Sequence, residues 1–254
     1  MKEARSNFWQ LVWSNNYYIV GAAILFGFWA GGYFLVGRLT EFDQAVSLTT
    51  RFDQRIPFLP KFVWFYMTIY PIFLIPFLNV RDRQFFKLMA YAYTTVMVIC
   101  YTIFFVFPVA MDRPTFEVVD LSTWALQKFY NNDPRVNCFP STHVTMAMLA
   151  SLMLYEINRA QGIFCVVLTL VISASTVLIK QHYVADVLVA LVIAAIVYYA
   201  YFRQRITDLL SARLGSIEAL VDARIEGHLE PMVKKMVSEE VARLLADKKR
   251  NKGT

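Results

Sequence analysis

Lys180-Gln181-His182-Tyr183-Val184-Ala185-Asp186 sets a histidine and an aspartate four residues apart, a spacing that puts both on one face of a helix. A carboxylate in that position fixes the tautomer of the ring and leaves its other nitrogen free, which makes a nucleophile or a base. From Val187 to Phe202 no residue is charged, so the pair stands at the mouth of an apolar helix. An acidic group near such a helix costs about 2.5 to 3.5 kcal/mol at the membrane centre, less toward the interface, and marks function by default. Pro140-Ser141-Thr142-His143 opens another apolar run. Serine or threonine there is a helix N-cap, and the unpaired amides of the first turn, with the helix dipole, form an anion site that suits phosphate. Arg113-Pro114 adds a guanidinium that can hold a phosphate through two hydrogen bonds. Each motif also has a plain reading: a His–Asp pair that caps itself, an ordinary helix cap, and a structural Arg-Pro turn.

The elements that must position these groups follow from composition. Of 254 residues 57% are hydrophobic and 16% aromatic, and the mean hydropathy is +0.45, far above a soluble domain of this length. The chain reads as a multi-spanning membrane protein. Its net charge of +6 collects at helix ends, where it sets topology, and implies no nucleic-acid partner. Cys100, Cys138 and Cys165 have no spacing that suggests a disulfide framework or a zinc site.

Six spans are expected, at 17–37, 62–80, 88–108, 141–158, 162–179 and 182–202. Trp9 and Trp13 mark an interfacial segment ahead of the first, with no signal-peptide cleavage site. Gly27, Gly31 and Gly32 would permit close helix contact, and Pro71 and Pro76 should kink the second span. The connection 109–137 is the longest and a functional candidate. Lys2, Arg5, Arg81, Arg83, Lys87, Arg159 and the basic tail share one face, which the positive-inside rule assigns to the cytoplasm with both termini. The three motifs then fall together on the extracytoplasmic side, while His228 lies in the tail as a surface residue. The expected fold is all-α: a six-transmembrane-helix bundle over 1–204 with an N-terminal interfacial segment, followed by a charged tail over 205–254. There Ile206, Leu210, Leu214, Ile217, Val221 and Ile225 recur at helical spacing and Pro231 separates two amphipathic helices. The tail is a candidate for pairing with another part of the protein or with a second subunit, as in a homo-oligomer.

This ordered set resembles the type 2 phosphatidic acid phosphatase superfamily, whose pattern is K-x6-R-P, then P-S-G-H, then S-R-x5-H-x3-D. Arg113-Pro114 is kept, but Val106 stands at the lysine position; Thr142 replaces the glycine of Pro140-Ser141-Thr142-His143; and Ser175-Thr176 replaces serine-arginine ahead of His182 and Asp186. Two cationic positions have drifted, which is similar to the divergent branch that includes inositol phosphorylceramide and sphingomyelin synthases. Lys180 is a candidate to replace one of them.

The resemblance implies that His182 attacks phosphorus to form a phosphohistidine, that His143 protonates the departing oxygen, and that Asp186 orients His182. Arg113, Ser141, Thr142 and Lys180 would bind the phosphate. The scheme requires no metal and no cofactor, although two histidines and a carboxylate could bind a metal. The leading expectation is a lipid phosphatase acting on a phosphomonoester or pyrophosphate lipid. A lipid headgroup phosphotransferase with an alcohol acceptor stands close behind, and a non-catalytic binder of phosphorylated lipid is the reading from outside enzymes.

Overall fold

The computed structural model describes residues 16–203 except 41, 42 and 44, together with 215–217 and 234. Met1–Phe202 and Arg203–Thr254 form two compact units. The interfacial segment with Trp9 and Trp13 lies outside the described residues, as do His228 and the tail helices apart from those few positions.

Nine helices are described among residues 16–203. They are α1 (Asn16–Leu39), α2 (Arg51–Arg55), α3 (Val63–Met67, entered through a 3-10 turn at Pro60–Phe62), α4 (Ile69–Asn79), α5 (Arg83–Val106), α6 (Leu121–Asn132), α7 (Thr142–Ile157), α8 (Arg159–Leu178) and α9 (Val184–Arg203). No strand occurs among the described residues; isolated bridges tie Val46 to Val109 and Val109 to Asn137.

Five segments are long and apolar enough to cross a membrane: Tyr17–Leu39, Pro60–Asn79, Arg83–Val106, Arg159–Leu178 and Val184–Arg203. Their outward side chains, among them Ile24, Val98, Phe164 and Ile196, are apolar and exposed, the reverse of a water-soluble bundle. The expected fourth span is α7, whose 16 residues cover only about 24 Å at 1.5 Å per residue, short of the roughly 30 Å of a hydrocarbon core. Most of α7 is buried, from Thr142 through Leu154, so other helices and not lipid surround it. A polar helix start is tolerated at membrane depth where protein covers it.

Local chemistry accounts for several departures from the expected spans. The second is interrupted at Thr68, between α3 and α4, because Pro71 has no N–H for the Met67 carbonyl and its ring crowds that position. The long connection 109–137 contains α6, started by a capping box between Asp120 and Thr123. The loop before the second span contains α2, started by the same device at Thr50 and Asp53. Asn158 ends α7 and caps α8 at once, its Oδ1 accepting the Gln161 amide at 3.1 Å. A Cβ on Gly162 would lie 2.2 Å from the Tyr155 Cα, so the turn closes this tightly only with glycine. Of the three glycines expected to allow close contact, Gly32 meets the Tyr101 ring while Gly27 and Gly31 have open space; Gly21, against the Phe86 ring, and Gly37, against Pro134, are further close approaches of this span.

Trp29 and Tyr33 of α1, Phe73 and Phe77 of α4, Tyr93 and Phe104 of α5 and Met146 and Met153 of α7 fill one core. Between membrane helices, packing contacts and polar links carry association. Ser151 Oγ meets Thr169 Oγ1 at 2.9 Å between α7 and α8, Thr95 Oγ1 meets Tyr201 OH at 2.7 Å between α5 and α9, and Tyr101 OH donates to the Trp29 carbonyl at 2.6 Å.

Candidate active site

The chemistry-bearing residues collect where α8 gives way to α9. A Schellman closure ends α8: the Gln181 amide donates to the Thr176 carbonyl at 2.9 Å and the Lys180 amide to the Val177 carbonyl at 3.1 Å. Lys180 is the left-handed residue of that closure, with φ 52°, and the chain reverses there. His182 therefore precedes α9 rather than belonging to its first turn, unlike the regular helix the four-residue spacing suggested. The His182–Asp186 pairing survives, at 3.3 Å from Nδ1 to Oδ2.

The His182 ring is held more closely by backbone. Its Nδ1 lies 2.8 Å from the Cys138 carbonyl, which assigns the Nδ1 proton and leaves Nε2 free. Asp186 Oδ2 accepts the Tyr183 amide at 2.8 Å and the Cys138 thiol at 2.9 Å. Burial, then the Asp186 carboxylate, pushes the Cys138 thiol well above its ordinary range, so Cys138 donates as S–H. Cys138 Sγ, His182 Nδ1 and Asp186 Oδ2 lie within 4.8 Å of one another, a set that a zinc-like cation could use. The same atoms already satisfy one another through hydrogen bonds, so the cluster holds together on its own side chains.

Two further elements brace this turn. Asp53 of α2 accepts the Val184 amide on Oδ1 at 2.9 Å, capping α9 from outside. Lys180 Nζ donates to the carbonyls of Asp53, at 3.0 Å, and Ile56, at 2.7 Å. Lys180, expected to bind phosphate, is placed with its ammonium on these carbonyls at the end of α2. Val106 and Thr176, the drifted cationic positions, supply nothing in exchange. Val106 is 73% exposed at the end of α5, and Thr176 Oγ1 donates to the Ser173 carbonyl at 2.7 Å.

His143, in the first turn of α7, lies with its ring centroid 6.1 Å from that of His182, and both residues are buried. Trp29, Tyr33 and Tyr66 surround the His143 ring at centroid distances of 5.8, 5.9 and 5.0 Å. Tyr66 OH meets Nε2 at 3.0 Å, while Nδ1 is buried without a partner. Ser141 caps α7, accepting the Val144 amide at 3.4 Å, and its own amide reaches the Asp186 carbonyl at 3.4 Å. The first-turn amides of Thr142 and His143 have no acceptor inside a helix, and the buried Thr142 Oγ1 has no partner.

Arg113 joins through Asp133. Its Nη2 contacts Asp133 Oδ2 at 2.6 Å, and Nη1 donates to the carbonyls of Tyr130, at 2.8 Å, and Asp133, at 3.0 Å, closing the C-terminus of α6 as a cation should. Asp133 Oδ1 accepts Tyr33 OH at 2.9 Å, and the Tyr33 ring packs on His143. Burial raises the Asp133 carboxyl, against the pull of Arg113, the Tyr33 hydroxyl and His182. Arg113 Nε, Gln181 Nε2 and Oε1, and Asp186 Oδ1 are buried without partners. Thr142 Oγ1 and His143 Nδ1, in the first turn of α7, are in the same state, and native interiors leave few buried polar atoms unmatched.

The structure therefore brings His143, His182, Asp186, Ser141 and Thr142 together, reaches Arg113 through one carboxylate, and directs Lys180 elsewhere. Among the residues that sequence reading missed, Cys138, Tyr66 and Tyr33 carry no sequence signal of their own. Asp53 could have been found from its Thr50 capping box, and Asp133 from the helix end it closes.

Two cavities flank this region. One of about 480 Å³ is lined by Phe34, Gly37, Arg38, Asn131, Asn132, Asp133 and Pro134. The other, of about 450 Å³, is almost wholly apolar, with Ile56, Val177, Val184 and Val187 in its wall. The family model of the PAP2 superfamily matches residues 87–208. No curated protein matches the chain.

Proposed function

Since residues 87–208 belong to the PAP2 superfamily, we propose that this membrane protein is a lipid phosphatase or phosphotransferase that passes its phosphoryl group through a phosphohistidine on His182. The observation that carries the reading is the meeting of two buried imidazoles from separate elements at 6.1 Å, among polar atoms that lack partners.

His182 Nε2 adds its lone pair to phosphorus while the bond from phosphorus to the leaving oxygen breaks. His143 supplies the proton that this oxygen needs, from the Nδ1 side, since Nε2 is engaged by Tyr66. The Cys138 carbonyl and Asp186 keep the His182 ring aimed and stabilise its positive charge once phosphorylated. The α7 amides, Thr142 Oγ1 and Arg113 Nε meet the equatorial oxygens, whose charge grows in the transition state. A second acceptor then takes the group from His182: water completes a phosphatase, and a lipid or polyol hydroxyl completes a transferase. The apolar cavity beside Val184 suits an acyl or prenyl tail, and the positive-inside rule puts this chemistry at the extracytoplasmic leaflet with both termini in the cytoplasm.

The test is capture of the intermediate. Purified protein mixed with phosphorus-labelled lipids should yield an acid-labile, base-stable label that persists in chelator. His182→Ala should abolish label and turnover, and full turnover in that variant would remove the nucleophile. His143→Ala should lose ordinary substrates about 10²- to 10⁴-fold, the usual contribution of a positioned acid, and recover with a leaving group that needs no proton. Equal loss on both substrates would contradict the acid role.

A further inference from the structure

The turn that carries His182 is gripped by the connection between the first and second spans. The Leu59 amide donates to the Leu178 carbonyl at 2.9 Å, and Lys180 Nζ reaches back to the Asp53 and Ile56 carbonyls. Ser47 Oγ meets Tyr183 OH at 2.9 Å, and Asp53 Oδ1 accepts the Val184 amide at 2.9 Å. Loop 46–59 thus touches the stretch 178–184 before, within and after the reversal. Its own start is anchored too: the Val46 amide donates to the Pro108 carbonyl and the Ala110 amide to the Val46 carbonyl, both at 3.0 Å. The Cys138 amide joins the same ladder through the Val109 carbonyl at 3.2 Å, and the Cys138 carbonyl is the group that fixes His182 Nδ1. One loop therefore backs both supports of the His182 ring.

The ties are unequal, and Asp53 is the strongest. It is 4% exposed, and its Oδ2 accepts the Thr50 amide at 2.9 Å and the Thr50 hydroxyl, which leaves Oδ1 on a fixed line to α9. Val184 opens α9, so its amide has no acceptor inside the helix, and a negative charge at that end complements the helix dipole. Burial pushes the Asp53 carboxyl up, but the bonds from Thr50 and the Val184 amide outweigh it and hold it below the ordinary carboxylate range. Asp53 is therefore ionised, and a charge-assisted bond is about twice as strong as a neutral one. The Lys180 contact is half-exposed and screened by comparison.

We propose that Asp53 is a positioning residue for His182: by holding the first amide of α9 it fixes the line along which His182 Nε2 meets phosphorus. This rests on the phosphohistidine reading and adds to it a residue from outside the matched stretch 87–208. Between His182 and Val184 stands only Tyr183, whose amide is on Asp186 and whose hydroxyl donates to the Ala110 carbonyl at 2.9 Å. Without the Asp53 carboxylate the start of α9 loses its outer cap, and the ring can swing about its Nδ1 bond to the Cys138 carbonyl. Asp53 touches no reacting atom, so its effect falls on the aim of the nucleophile.

The experiment is rapid-quench labelling of the purified full chain with phosphatidate, phosphatidylinositol and a prenyl pyrophosphate, each labelled on phosphorus. It separates amplitude, the share of molecules able to take label, from the rate at which they take it. On the lipid that labels wild type best, Asp53→Ala should label about 10- to 100-fold more slowly with KM within about twofold, the scale of an ångström of misplacement between reacting groups. The same fractional loss is expected on an analogue with a nitrophenol leaving group, because a misaimed nucleophile is slow whatever departs. Asp53→Asn keeps the size and an oxygen for the Val184 amide, and its rate should fall between the two. It carries the test where Asp53→Ala does not fold, and a wild-type rate in it then overturns the inference. A reduced amplitude at the wild-type rate in Asp53→Ala makes Asp53 a cap for stability alone and overturns it as well. So does a loss in KM alone, or a loss confined to natural leaving groups, which would put Asp53 behind the proton of His143. Turnover of wild type without label dependent on His182 overturns the phosphohistidine reading itself.

Discussion

The two histidines face one another but are held by different kinds of force. His182 is fixed by directional bonds: the Cys138 carbonyl and Asp186 on Nδ1, a Schellman turn behind it, and Asp53 clamping the helix that follows. His143 sits in a box of aromatic rings with one hydrogen bond, from Tyr66. The contrast suits the proposed roles. A nucleophile must present one nitrogen along one line, and bonds to fixed dipoles hold it there at no further cost during the reaction. An acid must gain and lose a proton, and packing on ring faces constrains its plane while leaving Nδ1 open.

If that contrast is right, removing an orienting carboxylate should hurt far more than removing the hydroxyl on the other side. Asp186→Asn should lower the rate of His182 labelling about 10²-fold or more, since breaking a buried charge pair costs about 3 to 5 kcal/mol and each decade is about 1.4 kcal/mol. KM should change little, because the loss falls on the phosphorylated ring and not on substrate binding. Rapid-quench labelling alongside a melting curve separates the two; a pure KM effect would show that Asp186 acts on substrate and break the comparison.

Tyr66→Phe is the matching change on the aromatic side and should be smaller. A neutral hydrogen bond contributes about 0.5 to 1.5 kcal/mol, so turnover of natural lipids should fall about 3- to 10-fold, while a substrate with an activated leaving group should be nearly unaffected. Equal loss on both would mean that Tyr66 serves packing alone, through its contact with Phe129, and not the proton on His143.

The same contrast explains what sequence reading could reach. His143, His182 and Asp186 are legible because short spacings at helix starts carry them, and Arg113 because Arg-Pro belongs to the same ordered set. Their supports are not legible. Tyr66 meets His143 across 77 positions and Tyr33 meets Asp133 across 100, distances at which no local pattern survives. Trp29, Tyr33, Asp53 and Tyr66 lie ahead of the matched residues 87–208, so the family pattern does not point to them either. The all-helical membrane class follows from composition and run length. The depth of α7 does not, because its burial depends on neighbours and its apolar run reads like any short span. Helices α2 and α6 were hidden by their polarity, although the Thr50–Asp53 and Asp120–Thr123 boxes are the local signal that marks them.

Lys180 gives the finest test, because two accounts of one residue predict opposite results. As a phosphate ligand, its loss would raise KM at least tenfold. As the left-handed residue of the turn behind His182, it occupies a conformation that costs an L-residue about 1 to 2 kcal/mol, which glycine does not suffer. Lys180→Gly removes the ammonium from the Asp53 and Ile56 carbonyls, but that half-exposed contact is screened and worth little, so the backbone relief offsets it. Expected are a KM and kcat within about twofold of wild type and a stability change within about 1 kcal/mol, on the scale of the left-handed strain itself. The measurement is a substrate titration of both proteins beside their melting curves. A tenfold KM rise at unchanged stability would return Lys180 to the phosphate and show that the turn behind the nucleophile opens toward substrate.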